Sequence, residues 1–422
     1  MKYTKILFLS ALIFNIYIIE AQNIVIKNAI IYNGVDDNSF IGSILIEDGV
    51  IKKVSKSLIQ GDIVIDASQK IVTPGFIASD TKIGISEIGA LSVTRDDQSS
   101  IYSIGFSIHD AFNPNSTLIP WNRSNGITSA ITLPGNTSSP IGGLGSFFAL
   151  NGSAEIDSQE DMVMIGSIGG SSSSSRSEML ALIDDILSFA ASLTDKNMRS
   201  NLEINQIISD SSLAGYLELQ IRDLKALHRL MNERLPLIIK ANRASDILKL
   251  LDLKKKYNLN LIISGAQEAF LVADQIANSN TPLIINPINN IPSSFDELAA
   301  NINLSSKLEA SGITLMFSTF GYHNYHLARQ GAGIAVANGM SYGGAIRALT
   351  SNVADSLNIA NRGVIKVGNI ADIVIWNADP LEPSSMPYKV LINGIEMDLT
   401  TRSTRLRDRY IKNLDQPNTY RD

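Results

Sequence analysis

The feature that most constrains this chain is a change of rhythm along it. Between residues 73 and 359, short apolar runs alternate with helical stretches. MVMIGSI precedes SEMLALIDDILSFAASL, PLIIKA precedes ASDILKLLDLKKKYN, and NLIISG precedes EAFLVADQIANS. TPLIINP follows, then ITLMFST with a helix over 327–338 and another near 343–357. A short apolar run bounded by turn signals reads as a buried strand, and the stretch behind it as the helix that carries the chain back to the next parallel strand. Repetition of that unit over such a span predicts a (β/α)8 barrel.

The two ends lack that rhythm. IVIKNAIIYNG, SILIEDGVIKKVS and DIVIDASQKIV, all before residue 73, carry alternating or β-branched runs with turn signals such as Asp48-Gly49 between them. VIKVGNIADIVIWNADP (364–380) and YKVLINGIEMDL (388–399) repeat this character, with Asn393-Gly394 as a hairpin turn. The expected fold class is therefore α/β: a TIM-type barrel over 73–359 and a small composite β-sandwich built from both chain ends, 22–72 and 360–405.

Residues 1–21 read as processing rather than fold. Lys2 and Lys5 precede a nearly pure apolar run from Ile6 to Ile19, and Ala21 supplies a small residue before Gln22, the pattern of a secretory signal peptide. The run is shorter than the roughly 20 residues a membrane-spanning helix needs. The alternative is an uncleaved signal anchor. The expected location is the periplasm or the cell exterior, with no transmembrane segment in the mature chain. Cleavage removes two lysines and one glutamate, moving the net charge from −6 to −7. A mildly acidic chain has no electrostatic footprint for nucleic acid.

Composition then narrows the chemistry. The absence of cysteine from all 422 residues excludes disulfides, thiolate metal sites and cysteine nucleophiles. Only four histidines remain: His109, His228, His323 and His326. The last two, in GYHNYH, are the best remaining metal pair, but no third ligand lies near them. The serine tract Ser171–Ser175 lacks the lysine of a phosphate-binding P-loop and reads as a flexible βα loop.

VTPGFIASDTKIG (72–84) resembles the hinge where a β-sandwich feeds strand 1 of the barrel in the amidohydrolase superfamily, especially its imidazolonepropionase-like branch. DAFNPNSTLIPWNRSNGITSAITLPG (110–135), KANRASDILKLLDLKKKYNLNLIISGAQEAFLVADQI (240–276) and NVADSLNIANRGVIKVGNIADIVIWNADPLEP (352–383) resemble later segments of that branch in the same order. The resemblance implies one or two divalent metals at the C-terminal mouth of the barrel. Their ligands would be a His-x-His on strand 1, a lysine or glutamate carboxylate on strand 4, a histidine each on strands 5 and 6, and an aspartate on strand 8. Such a metal lowers the pKa of a bound water and polarises the scissile carbonyl.

Here the corresponding positions read Asp80-Thr81-Lys82, Lys240 (with Asn242 beside it), Ser264, and Ser318-Thr319-Phe320. No residue matches the strand 4 ligand. A protonated lysine has three donors and no acceptor, and phenylalanine has neither. The resemblance thus implies a barrel with no metal, no cofactor and no catalytic residue. Asp80, Lys82, Lys240, Ser264 and Phe320 mark the former metal positions. Asp80, Lys82, Lys240, Asn242, Ser264 and His323 are the candidate ligand-binding residues. Two arrangements are expected of them: Asp80 paired with the lysines under a Phe320 plug, or Lys240 and Ser264 meeting across strands 5 and 6 as a base–nucleophile pair.

The leading expectation for function is an exported, non-catalytic binding or partner subunit, as a homo-oligomer or a hetero-oligomer with an active relative. The alternative is a hydrolase of non-peptide carbon–nitrogen bonds. It would work with metal through unrecognised ligands, or without metal through Lys240 and Ser264. A third reading is glycan or peptide binding through Trp121, Tyr322 and Tyr325.

Overall fold

The computed structural model describes residues 23–414 except 136, 138, 170–174 and 322. The signal-peptide segment 1–21, most of the serine tract and Tyr322 lie outside the described residues. The chain opens with β1 (Ile24–Ile31), β2 (Phe40–Glu47), β3 (Val50–Ser55), β4 (Ile63–Asp66) and β5 (Ile71–Pro74). Then come β6 (Phe76–Thr81), β7 (Ile127–Thr132), β8 (Ile141–Ala149), β9 (Ser158–Ser167), β10 (Leu237–Ala241), β11 (Leu261–Gly265), β12 (Leu283–Ile285) and β13 (Leu315–Phe317). The strands β14 (Ile373–Trp376), β15 (Pro387–Ile392) and β16 (Ile395–Glu396) follow, and the helix Arg402–Leu414 comes last.

Two sheets result. The first runs β16-β15-β14-β5-β1-β2-β3, with β4 also pairing with β1. Both chain ends thus share one hydrogen-bonded sheet, joined where β14 lies antiparallel to β5. Its strands close over a core of their own that includes Ile26, Ile44, Ile51, Val72, Ile373 and Leu391. The second sheet runs β6 through β13 in chain order. Its two edges approach each other through side chains: Ser79 Oγ donates to Phe317 O at 3.0 Å and Ser318 Oγ to Asp80 O at 3.4 Å. The result is a nearly closed eight-strand barrel of TIM type beside a β-rich domain.

The barrel departs from a uniform β/α repeat in its third strand. β8 is antiparallel to both β7 and β9, whereas every other adjacent pair in the sheet is parallel. Only residues 133–140 join β7 to β8, and 150–157 join β8 to β9. A parallel crossover needs a dozen or more residues, so connections this short can return the chain only antiparallel. β8 stays buried along its whole length despite its reversed direction. A second departure lies near the end of the barrel. The single helix expected near 343–357 is two, Tyr342–Ala348 and Ser351–Ser356. Between them Thr350 leaves helical geometry, and its hydroxyl donates to Ile346 O at 2.7 Å.

The joint between the sheets is tight. Gly75, between β5 and β6, donates its N–H to Asp372 O at 2.8 Å. A Cβ at Gly75 would sit 2.0 Å from Thr128 Oγ1, so only glycine fits there. Asp372 is itself anchored. The guanidinium of Arg362 donates to the Asp372 carboxylate, to Asp157 Oδ2 at 2.6 Å and to Asn393 Oδ1 at 2.9 Å. Asn393 in turn donates its backbone N–H to Asp372 at 2.9 Å and its amide to Asp157 at 2.8 Å. Two further buried guanidiniums hold the C-terminal segment to the barrel. Arg329 donates to the carbonyls of Pro380, Glu382 and Ser385, and Arg123 to those of Leu150, Asn151 and Asp398.

Replacing Arg362 with Met leaves Asp372 buried without its cation. Urea unfolding is expected to show a loss of about 3–5 kcal/mol at neutral pH. Burial raises the Asp372 carboxyl above its ordinary value, and Arg362 opposes that rise. In the variant the rise is larger, so stability is retained below the ordinary carboxyl range and lost as pH climbs through the raised value. A loss independent of pH between 4 and 7 would contradict this.

Candidate functional site

The C-terminal ends of the barrel strands surround a cavity of about 340 Å³. β6 brings Asp80 to it, β10 brings Ile238 and Lys240, β11 brings Ser264, and β9 brings Ile165 and Gly166. Lys82, Asp97, the Leu133–Gly135 turn and Phe320 complete the main walls. Five of the residues singled out in the sequence, Asp80, Lys82, Lys240, Ser264 and Phe320, therefore line one cavity. Their gathering follows from topology, since each ends a strand or follows one within a few residues, and strand ends converge at a barrel mouth.

The electrostatics differ from the expected Asp–Lys pair. The ammonium of Lys82 donates to Leu133 O at 2.7 Å and to Pro134 O. The Lys82 N–H donates to the hydroxyl of buried Tyr325 at 2.7 Å, which fixes the start of the side chain as well as its end. Among the described residues Asp80 forms no ion pair within 4.0 Å, so the direct pairing with Lys82 or Lys240 does not form. The physical reason is that two carbonyls turned toward Lys82 satisfy its donors more closely than Asp80 does. Burial pushes the Asp80 carboxyl above its ordinary value, and the fields of Lys82 and Lys240 pull it back. Burial likewise depresses the Lys82 ammonium against the opposing charges of Asp80 and Asp97.

Lys240 and Ser264 are Cα partners on adjacent parallel strands, as expected of residues placed on strands 5 and 6. Lys240 is exposed at the cavity, Ser264 is buried, and no hydrogen bond links them among the described residues. Neighbouring positions have not produced a base–nucleophile contact. Phe320 does not plug the mouth either. It adopts a left-handed backbone with φ of 53°, its N–H donates to Ser318 Oγ at 3.1 Å, and its ring forms part of the wall of an open cavity.

The remaining sequence candidates stand elsewhere. Asn242, just past β10, turns its amide to Glu297 at 2.8 Å and is not in the cavity wall. His323 is exposed on the loop after β13, where its carbonyl accepts from Asn122, and it too is outside the cavity. His326 packs edge-on against Trp121 with its ring partly buried. Tyr325 is a core residue holding Lys82, so it is not available as a surface contact for a glycan. His109 is structural: its Nε2 lies 2.9 Å from Ser158 Oγ, and its ring stacks on Phe148. His228 lies 3.0 Å from the Asp195 carboxylate, on the outside of the barrel.

Sequence reasoning missed Asp97 altogether. It is 1% exposed, lines the cavity, and among the described residues leaves both carboxylate oxygens without a hydrogen-bond partner. Nothing in the run RDDQSS distinguishes it from its neighbour Asp96, because its burial comes from a loop that local sequence does not describe. At the fourth strand, where no ligand could be placed from sequence, the cavity receives only the apolar Ile165 and the side-chain-free Gly166.

This donor set does not fit the divalent metal that the resemblance implies. The mouth presents two carboxylates among two ammonium groups, the Gln98 amide and a serine hydroxyl. Among the described residues, no three His, Cys, Asp or Glu side chains come together to hold an ion. A cation there would meet the unpaired Lys240.

A barrel of this kind, joined to a sheet made from both chain ends, has counterparts among solved amidohydrolase structures. An amidohydrolase from Thermotoga maritima MSB8 superposes with a TM-score of 0.75 at 22% identity, over 89% of this chain and 99% of that one. Residues 230–397 match the model of the amidohydrolase family. Dihydropyrimidinase of Dictyostelium discoideum is 38% identical over 80 residues, 18% of this chain and 16% of its own length. Amidohydrolase tasK of Hapsidospora irregularis is 42% identical over 57 residues, 13% of this chain and 6% of its own. The matched stretches thus span under a fifth of either curated relative.

The His326 ring gives the mouth region a pH dependence. Its pKa is pushed down to about 4 by burial, with Arg329 adding to the effect. The folded state therefore takes up fewer protons than the unfolded state between these values, and its contribution to stability, full above the ordinary 6.5, is lost as pH falls through about 4. Urea midpoints are expected to fall between pH 7 and pH 4, and His326→Gln to flatten that fall. An unchanged slope in the variant would contradict the assignment.

Proposed function

We propose that this chain is an exported member of the amidohydrolase family, of the imidazolonepropionase-like kind, that has given up its metal centre and works as a non-catalytic binding or partner subunit. The observation carrying this reading is Lys82. Its ammonium is fastened to the Leu133 and Pro134 carbonyls beside Asp80, at the position where the resemblance expects a metal-ligating histidine. A cation built into the protein stands in place of the bound one. Lys240, Ser264 and Phe320 occupy other expected ligand positions and supply no strong ligand between them. The cavity itself is kept open, which favours binding over a purely structural remnant. Assembly as a homo-oligomer, or with an active relative, is part of the proposal. Export rests on the basic and apolar pattern of residues 1–21. No helix among the described residues is long and apolar enough to cross a membrane.

The alternative of carbon–nitrogen bond hydrolysis is less well supported, because among the described residues no hydrogen bond links Lys240 to Ser264 and no metal-binding group is assembled. Protein secreted by its own cells is expected to begin at Gln22 and to contain only substoichiometric zinc, manganese and iron by elemental mass spectrometry. With chelator, or with any of those metals added, it is expected to turn over amides, lactams and esters no faster than Ser264→Ala. One equivalent of tightly held metal, or hydrolysis abolished by Ser264→Ala, would overturn the reading.

A further inference from the structure

The charges at the barrel mouth are sorted by side. Asp80 comes from β6 and Asp97 from the loop beyond it, whereas Lys240 comes from β10. β6 is the first strand of the barrel sheet and β10 the fifth, half a circumference away. Lys82 lies on the acidic side, but its ammonium is occupied by two backbone carbonyls. Neutral carbonyls do not cancel its charge, so the acidic side keeps two carboxylates against one ammonium and stays net negative, facing the Lys240 ammonium across the cavity.

The acidic pole needs a partner. Asp97 is 1% exposed with both oxygens unpaired among the described residues. A carboxylate removed from water without a hydrogen-bond donor is costly, and such a group in a cavity wall calls for a ligand that donates. Gly135 borders it, and a Cβ at that position would lie 3.2 Å from Asp97 Oδ2, so glycine there keeps crowding off the carboxylate. At the other pole the exposed Lys240 has Ser264 beside it in register, a cation and a hydroxyl that together suit a carboxylate. Between the poles the wall is apolar, formed by Leu133, Ile165, Ile238 and Phe320.

We propose that this cavity binds a small α-amino-acid-type zwitterion with an apolar side chain, its ammonium toward Asp97 and Asp80 and its carboxylate toward Lys240 and Ser264. A simple anion would leave Asp97 unpaired, a simple cation would meet Lys240, and a neutral molecule would leave both poles unanswered. A volume of about 340 Å³ lies in the range of small-molecule sites and suits a ligand of amino-acid or dipeptide size. The inference rests on the metal-free reading above.

Isothermal titration of the full mature chain against a panel of free L-amino acids with aliphatic and aromatic side chains tests it. The best binder is then compared with its N-acetyl derivative, which lacks the cation, and its amide, which lacks the anion. Each blocked form is expected to bind at least about tenfold more weakly, the loss of one charge-assisted contact. Lys240→Met is expected to remove the preference over the amide, and Asp97→Asn the preference over the N-acetyl derivative. Lys240 is exposed, so its variant keeps the fold even if the buried Asp97 variant does not. Failure of every amino acid in the panel to bind at millimolar concentration would overturn the proposal, as would equal binding of all three forms. Metal content measured on the same samples separates the two claims. Metal-free protein that binds none of the panel rejects only the ligand class, whereas metal-loaded protein rejects the reading beneath it.

Discussion

The guanidinium of Arg362 is the interaction on which the geometry of the mouth depends. It neutralises Asp372 in the interior, and the Asp372 carbonyl holds the N–H of Gly75, the residue that turns the chain into β6. Five residues further on, Asp80 enters the cavity. The height and tilt of the first barrel strand are thus set from the neighbouring sheet, through a pair that water cannot screen. The same guanidinium reaches Asp157 at the turn between β8 and β9, so the reversed strand is tied to the same anchor. Arg329 and Arg123 repeat the device elsewhere, Arg329 gathering three carbonyls of the returning C-terminal segment and Arg123 joining the Asp398 carbonyl to those of Leu150 and Asn151. Guanidinium suits this work because it presents several fixed donors and stays charged when buried.

That rigid frame gives the mouth its character. A barrel rim collects whatever the strand ends present, and here the rim presents opposite charges on opposite sides with one lysine already satisfied internally. Charges held apart by a stiff scaffold cannot collapse onto each other, so they remain available to a ligand. The Lys82 ammonium, fixed at both ends of its side chain by Tyr325 and the Leu133–Pro134 carbonyls, offsets only one of the two negative charges on the acidic side. An open dipolar cavity therefore follows from the frame as much as from the residues lining it.

Much of this was legible in the sequence because barrel strands announce themselves. LIIKA, LIISG and LMF are short and buried, and the ends of such strands must meet at one mouth. The resemblance of 72–84 and 240–276 to the amidohydrolase superfamily was what singled out Asp80, Lys240 and Ser264. The β-rich ends were likewise readable from β-branched runs and Asn-Gly or Asp-Gly turns. The reversal of β8 was visible only in the shortness of its two connections, a length argument rather than a pattern argument. The partner of Lys82 was not legible, because carbonyls leave no trace in side-chain identity. Nor was Asp97, whose place is decided by a loop path with no periodicity to read. His323 was misplaced for the same reason: a loop after a strand can point along the rim as easily as into it.

The central claim is that the barrel mouth is a charged, metal-free binding cavity. The most direct measurement is an anomalous-scattering map from crystals of the mature chain soaked in zinc or manganese. The account predicts no anomalous peak within the cavity, with the Lys82 ammonium still on the carbonyls of Leu133 and Pro134. A peak at coordination distance from Asp80 or Asp97, with Lys82 swung away, would contradict it.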